Sequence, residues 1–111
     1  MSVKIKPSAE FDRQFKRLAK KYKSLLDDYL TLSKELKENP LQGSDLGGGV
    51  RKIRMAIASK GKGKSGGARV LTLTVLVSDE ADVTLLTIYD KSEIENVSDE
   101  YIKWLISETG K

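Results

Sequence analysis

The stretch from Leu46 to Ser78, LGGGVRKIRMAIASKGKGKSGGARVLTLTVLVS, decides how this chain is read. Two strand-like runs, Val50 to Ile57 and Arg69 to Val77, enclose a lysine–glycine loop. In the first run Ile53, Met55 and Ile57 alternate with Lys52 and Arg54, the period of a strand with one buried face. The second is apolar on both faces, which suits a central strand. The stretch has no acidic residue and seven basic ones: Arg51, Lys52, Arg54, Lys60, Lys62, Lys64 and Arg69. Elsewhere thirteen basic residues face sixteen acidic ones, a balance of −3 against +7 within the net charge of +4. A block of one sign laid over strand sequence is an electrostatic footprint for a polyanion.

Working outward, Val3 to Ile5 reads as a short strand closed by Pro7. Ser8 caps a helix with Phe11, Phe15, Leu18 and Tyr22 on one face and Arg13, Lys16, Arg17, Lys20, Lys21 and Lys23 on the other. That basic face reads first as a solvated one. Ser24, with Asp27 three residues on, signals a second helix with the stripe Leu25, Tyr29, Leu32 and Leu36, stopped at Asn39-Pro40. Downstream of the quoted stretch, Val83 to Tyr89 is a third strand. Ser98 then caps a C-terminal helix, with Trp104 expected to anchor on the sheet. The order is β-α-α-β-β-β-α. It predicts an α+β fold, with a helical hairpin and a C-terminal helix packed on an antiparallel sheet, as a single domain over residues 1–111.

Composition narrows the chemistry. With 39% hydrophobic and 32% charged residues, the chain is that of a globular protein. It has no cysteine, which removes disulfides and thiol catalysis, and no histidine, which removes the commonest general base and metal ligand. No run reaches transmembrane length and the start lacks an apolar signal core, so no membrane partner and a cytoplasmic location are expected. The segment Ala58 to Ser65 satisfies a relaxed nucleotide-binding P-loop pattern. A phosphate-cradling P-loop needs a helix directly after its Lys-Ser, and here Gly66-Gly67 and a strand follow, so no nucleotide cofactor is expected.

The loop offers other chemistry. Lys60, Lys62 and Lys64 alternate with Gly61 and Gly63 beside Lys52, Arg54 and Arg69, while Tyr89 and Lys91 end the following strand. A cleft of Lys, Arg and Tyr is a phosphate site rather than a metal site. A substrate that carries its own nucleophile suits it, and RNA does so through its 2′-hydroxyl. Each residue also has a plainer use: the loop lysines as a solvated hairpin tip, Arg69 snorkelling at the sheet edge, Tyr89 as a core tyrosine.

The order of elements, Phe15-Lys16-Arg17-Leu18-Ala19-Lys20-Lys21-Tyr22, Arg51-Lys52-Ile53-Arg54, the loop from Ser59 to Val70 and Ile88-Tyr89-Asp90-Lys91-Ser92-Glu93 together resemble the RelE/ParE toxin superfamily, in its RelE/HigB-like branch. The resemblance covers nearly the whole chain. It implies a cytoplasmic toxin, neutralised by a cognate antitoxin, that enters the ribosomal A site and cuts mRNA without a metal or other cofactor. By position it assigns catalysis to Arg54, Lys64, Arg69, Tyr89 and Lys91, and RNA binding to Lys52, Lys60 and Lys62. The two arginines would stabilise the pentacovalent phosphate, one loop lysine would serve as base, and Tyr89 would stack on a base or protonate the leaving oxygen. Two other expectations stand beside it: a gyrase inhibitor of the ParE type, and a silent nucleic-acid-binding module.

Overall fold

Ser8 starts the first helix as its position predicts, accepting a hydrogen bond from the Phe11 backbone N–H at 3.1 Å while its own hydroxyl donates to the Leu86 carbonyl. The computed structural model describes residues 2–110. Its elements are β1 (Ser2–Pro7), α1 (Ala9–Ala19), α2 (Leu25–Glu38), β2 (Ser44–Gly47), β3 (Val50–Met55), β4 (Ala68–Val77), β5 (Glu80–Asp90) and α3 (Asp99–Glu108), with a 3-10 turn at Ala58–Lys60. The strands form one sheet in the order β1-β5-β4-β3-β2. This is the expected α+β layout with two amendments. The sheet is mixed, because β1 runs parallel to β5 at the edge, from Ser2 opposite Glu80 to Pro7 opposite Leu85. A further strand, β2, pairs antiparallel with β3. Four exposed residues between glycines carry no periodicity, which is why the sequence pattern does not reveal it.

The two sheet faces bury different partners. On one, Phe11 and Leu18 of α1 and Leu25, Leu32 and Leu36 of α2 pack with Ile53, Met55, Ile57, Val70, Val83, Leu85 and Ile88. The predicted stripes are thus the buried ones. On the other, α3 lays Leu105, with Tyr101, Ile102 and Ile106, over Val50, Leu71, Leu73, Leu86 and Tyr89. Trp104 is not the anchor: it is 43% exposed and stacks on Tyr101, with ring centroids 5.9 Å apart. Leu105, one residue on, takes that place.

Two helix-end expectations change as well. α1 ends at Ala19, so Tyr22 lies in the interhelical turn. Ser24 makes no capping bond; its hydroxyl donates to Asp28 and accepts from the Ser59 backbone, tying the turn to the lysine–glycine loop. Ser98 does cap α3, accepting from the Tyr101 N–H at 3.1 Å. Among the described residues no helix is long and apolar enough to cross a membrane.

Candidate active site

α3 covers only part of its sheet face, and the uncovered part is cationic. Strand register places Arg54 of β3 directly opposite Arg69 of β4, and Arg69 directly opposite Tyr89 of β5. Three adjacent strands therefore present one row, Arg54–Arg69–Tyr89. Like charges directly opposite each other on a sheet are destabilising, so this pairing runs against local preference. Local preference is characteristically broken at functional sites.

Tyr89 reaches that row through a bulge. Opposite the consecutive β4 residues Leu71 and Thr72 stand Thr87 and Leu85, leaving Leu86 as the extra residue. Unbroken alternation from Val83 and Leu85 would send Tyr89 to the α1–α2 side. The extra residue reverses the phase, so Ile88 faces the helical hairpin and Tyr89 faces α3 and Arg69. Tyr89 is 3% exposed, and its hydroxyl is buried without a hydrogen-bond partner. Burial pushes its pKa up while the Arg69 charge pulls it down, with burial prevailing, so the hydroxyl keeps its proton at neutral pH. A buried donor left without a partner in the strand beside Arg69 is a group whose presence calls for an explanation.

Arg69, 5% exposed, shapes the loop. Its Nη1 donates to the carbonyls of Lys64 at 3.0 Å and Ala68 at 3.1 Å, and its Nη2 to that of Ser65 at 3.2 Å. It does not snorkel at the sheet edge; it holds the C-terminal half of the loop onto the sheet. Gly67 lets that half come close: a Cβ there would stand 2.2 Å from the Met55 carbonyl oxygen. Its carbonyl accepts from the Lys91 N–H at 3.1 Å, which joins the end of the loop to the end of β5.

A cleft of about 330 Å³ opens over this row, lined by Ser44, Lys52, Arg54, Arg69, Lys91 and two residues after β5, Glu95 and Asn96. Lys64 is exposed and lines, with Arg54, a separate recess of about 100 Å³ against Asp28, Leu32 and Glu35 of α2. β2 pairs with β3 only as far as Lys52, so the edge beside Arg54 is left open. Lys62 is exposed on the same loop. Of the eight candidate residues, Lys52, Arg54, Arg69 and Lys91 thus share one cleft, Tyr89 is buried in the strand next to Arg69 without lining that cleft, and Lys62 and Lys64 stand on the β3–β4 loop.

Lys60 does not join them. Its Nζ donates to Asp90 Oδ1 at 2.6 Å, to the Gly66 carbonyl at 2.9 Å and to Ser92 Oγ at 3.3 Å, and lies 5.6 Å from the Tyr22 ring centroid. Asp90 is wholly buried and also accepts from the Tyr22 hydroxyl and from the Ser92 N–H and hydroxyl, at 2.9 and 2.7 Å. Burial alone would push the Asp90 carboxyl up; Lys60, Tyr22 and Ser92 outweigh it and hold it well below the usual carboxylate range. Lys60 therefore clasps the loop to β5. Gly61 turns the chain just after it in the left-handed region, at φ 72°. The sequence reading missed Asp90, Tyr22 and Ser92 as a unit. The available signal was an acid ending an otherwise apolar strand, two positions before a serine.

Among the described residues no three carboxylates gather so as to hold a metal ion, and the chain contains no His or Cys. Ala58–Lys60 forms a single 3-10 turn and Ala68 begins a strand, so the P-loop-like segment has no helix after it.

The architecture defines a small α+β domain with a cationic cleft over one end of its sheet. The sequence model described as "RelE toxin of RelE / RelB toxin-antitoxin system" matches residues 11–109, and the chain belongs to that toxin family. A cognate antitoxin is its implied partner.

Proposed function

We propose that this toxin is a ribosome-dependent endoribonuclease that cuts mRNA through the RNA's own 2′-hydroxyl. The observation that carries the reading is the row Arg54–Arg69–Tyr89, with two arginines in register and a buried, unpartnered hydroxyl in the next strand. The 2′-oxygen loses its proton to a base and attacks the adjacent phosphorus. The P–O5′ bond breaks, leaving a 2′,3′-cyclic phosphate and a free 5′-hydroxyl. Arg54 and Arg69 offset the charge that grows on the pentacovalent phosphate. Tyr89, protonated at neutral pH, supplies the proton to the departing 5′-oxygen. Lys64, tethered through its carbonyl to Arg69, is the candidate base, and Lys91 supports the phosphate from the far wall. Lys52 and Lys62 bind the RNA backbone. Lys60 serves this site by holding the loop rather than by touching RNA.

A site with no histidine and an open cleft relies on alignment of its substrate, which the ribosomal A site provides. Free RNA is accordingly a poor substrate. The test is induced expression in a bacterium, wild type against Arg54→Ala, with primer extension on a translated message. Arg54 is the informative residue because its side chain is exposed and Arg69 also holds the loop. The expected result is in-frame cleavage with wild type and a loss of about a hundredfold in the variant. Growth arrest with intact mRNA would refute the reading and point to gyrase or another target. No arrest would leave a binding module.

A further inference from the structure

A second cavity lies next to this cleft and is made differently. It encloses about 590 Å³ between α3 and the β2–β3 edge. Val50, Val97, Ile102 and Ile106 supply aliphatic walls, and Asn96, Asp99 and Lys103 supply polar groups. Lys52 and Asn96 line both this groove and the cationic cleft, so the two spaces run into each other. A chain whose phosphate lies against Arg54 and Arg69 has the groove within reach of its neighbouring group.

We propose that this groove is a subsite for the base of a nucleotide flanking the scissile phosphate, and that Asn96 and Asp99 read its edge. The inference rests on the ribonuclease reading and deepens it. The aliphatic walls suit a base better than a phosphate or a sugar. An exocyclic amino or ring N–H of a base would donate to the Asp99 carboxylate. The Asn96 amide offers a donor and an acceptor together, the combination that discriminates base edges. Aliphatic side chains on the walls of a half-open slot fit the flat, weakly polar faces of a nucleobase. Lys103, one helical turn beyond Asp99, is placed for the backbone phosphate of that nucleotide. Leu46 and the Gly47-Gly48 turn form the outer lip of the slot, and a Cβ at either glycine would meet no atom within 4 Å.

Wild type, Asn96→Ala and Asp99→Ala are compared on ribosomes programmed with messages randomised around the A-site codon, and the cut ends are sequenced. Both residues are exposed and neither belongs to either core cluster, so the variants fold. The expected result is that discrimination between best and worst base falls about tenfold at one position flanking the cut, while ratios at the other positions hold. If every ratio holds, or all fall together, the subsite is refuted. An unchanged cleavage profile with weakened antitoxin binding would also refute it and assign the groove to that partner. If wild type itself leaves the messages intact on ribosomes, the ribonuclease reading fails and the subsite with it. That outcome is distinguishable, because it appears before any variant is compared.

Discussion

Replacing Lys60 with methionine isolates the clasp beneath the loop. Methionine keeps an apolar chain of similar length and removes the ammonium, together with its place over the Tyr22 ring. The pair it breaks joins a lysine side chain that is 12% exposed to a fully buried carboxylate at 2.6 Å. Removing one partner of such a pair leaves the other charge uncompensated, at about 3 kcal/mol, the low end for buried pairs because Tyr22 and Ser92 still donate to Asp90. For a domain of this size that is a fall of roughly 13 °C in Tm. The pH dependence is the sharper part. In the wild type the folded-state pKa of Asp90 lies below its unfolded value, so its contribution is present above the unfolded pKa and is lost as pH falls through the folded one. Without Lys60, burial, the largest influence and an upward one, is opposed only by Tyr22 and Ser92, so the folded pKa rises. Acid then protonates the stranded carboxyl in the variant and eases its cost, while the wild-type carboxyl stays ionised to lower pH. Denaturant unfolding of both proteins near pH 7 and near pH 4 should show the stability difference narrowing. Lys60→Met combined with Asp90→Asn should lose less than Lys60→Met alone at pH 7. A difference below about 1 kcal/mol, or one constant across that range, would refute the account.

Tyr89→Phe removes a buried hydroxyl with no partner, so stability should hold within about 0.5 kcal/mol or rise while cleavage on ribosomes falls; unchanged cleavage would remove Tyr89 from proton transfer. Gly67→Ala forces a Cβ to within 2.2 Å of the Met55 carbonyl oxygen and should cost about 3 kcal/mol, read by thermal unfolding. A loss under about 0.5 kcal/mol would mean that the loop sits further from β3 than its geometry indicates.

The elements that sequence periodicity revealed are those whose packing is one-sided and regular. Ile53 and Met55 against Lys52 and Arg54 read correctly as a strand with a buried and an open face, because β3 has no bulge within its pairing to β4. The stripes of α1 and α2 read correctly for the same reason. The parallel pairing of β1 with β5 was illegible, since it joins segments nearly eighty residues apart and no local pattern encodes a strand's neighbour. Trp104 misled because residue type favours burial, whereas Leu105 occupies the inward position of α3 and leaves the indole to stack on Tyr101.

The candidate site shows the same division more sharply. Its residues were recognisable as a list, but their grouping depends on two features that residue type does not reveal. One is the bulge at Leu86, whose only trace in the sequence is the doublet Leu85-Leu86 interrupting an alternation. Without it, Tyr89 would lie on the α1–α2 face, away from Arg69. The other is the burial of Asp90, which takes Lys60 out of the run of loop lysines. Three evenly spaced lysines look equivalent on paper because exposed ammonium groups are interchangeable. Once a buried carboxylate stands within reach of one, its desolvation makes that lysine a structural counter-ion, and the cleft is left to the others. The charge excess of this segment therefore divides: one lysine fixes where the loop sits, and the remaining cations are the ones available for the phosphate chain of the proposed function.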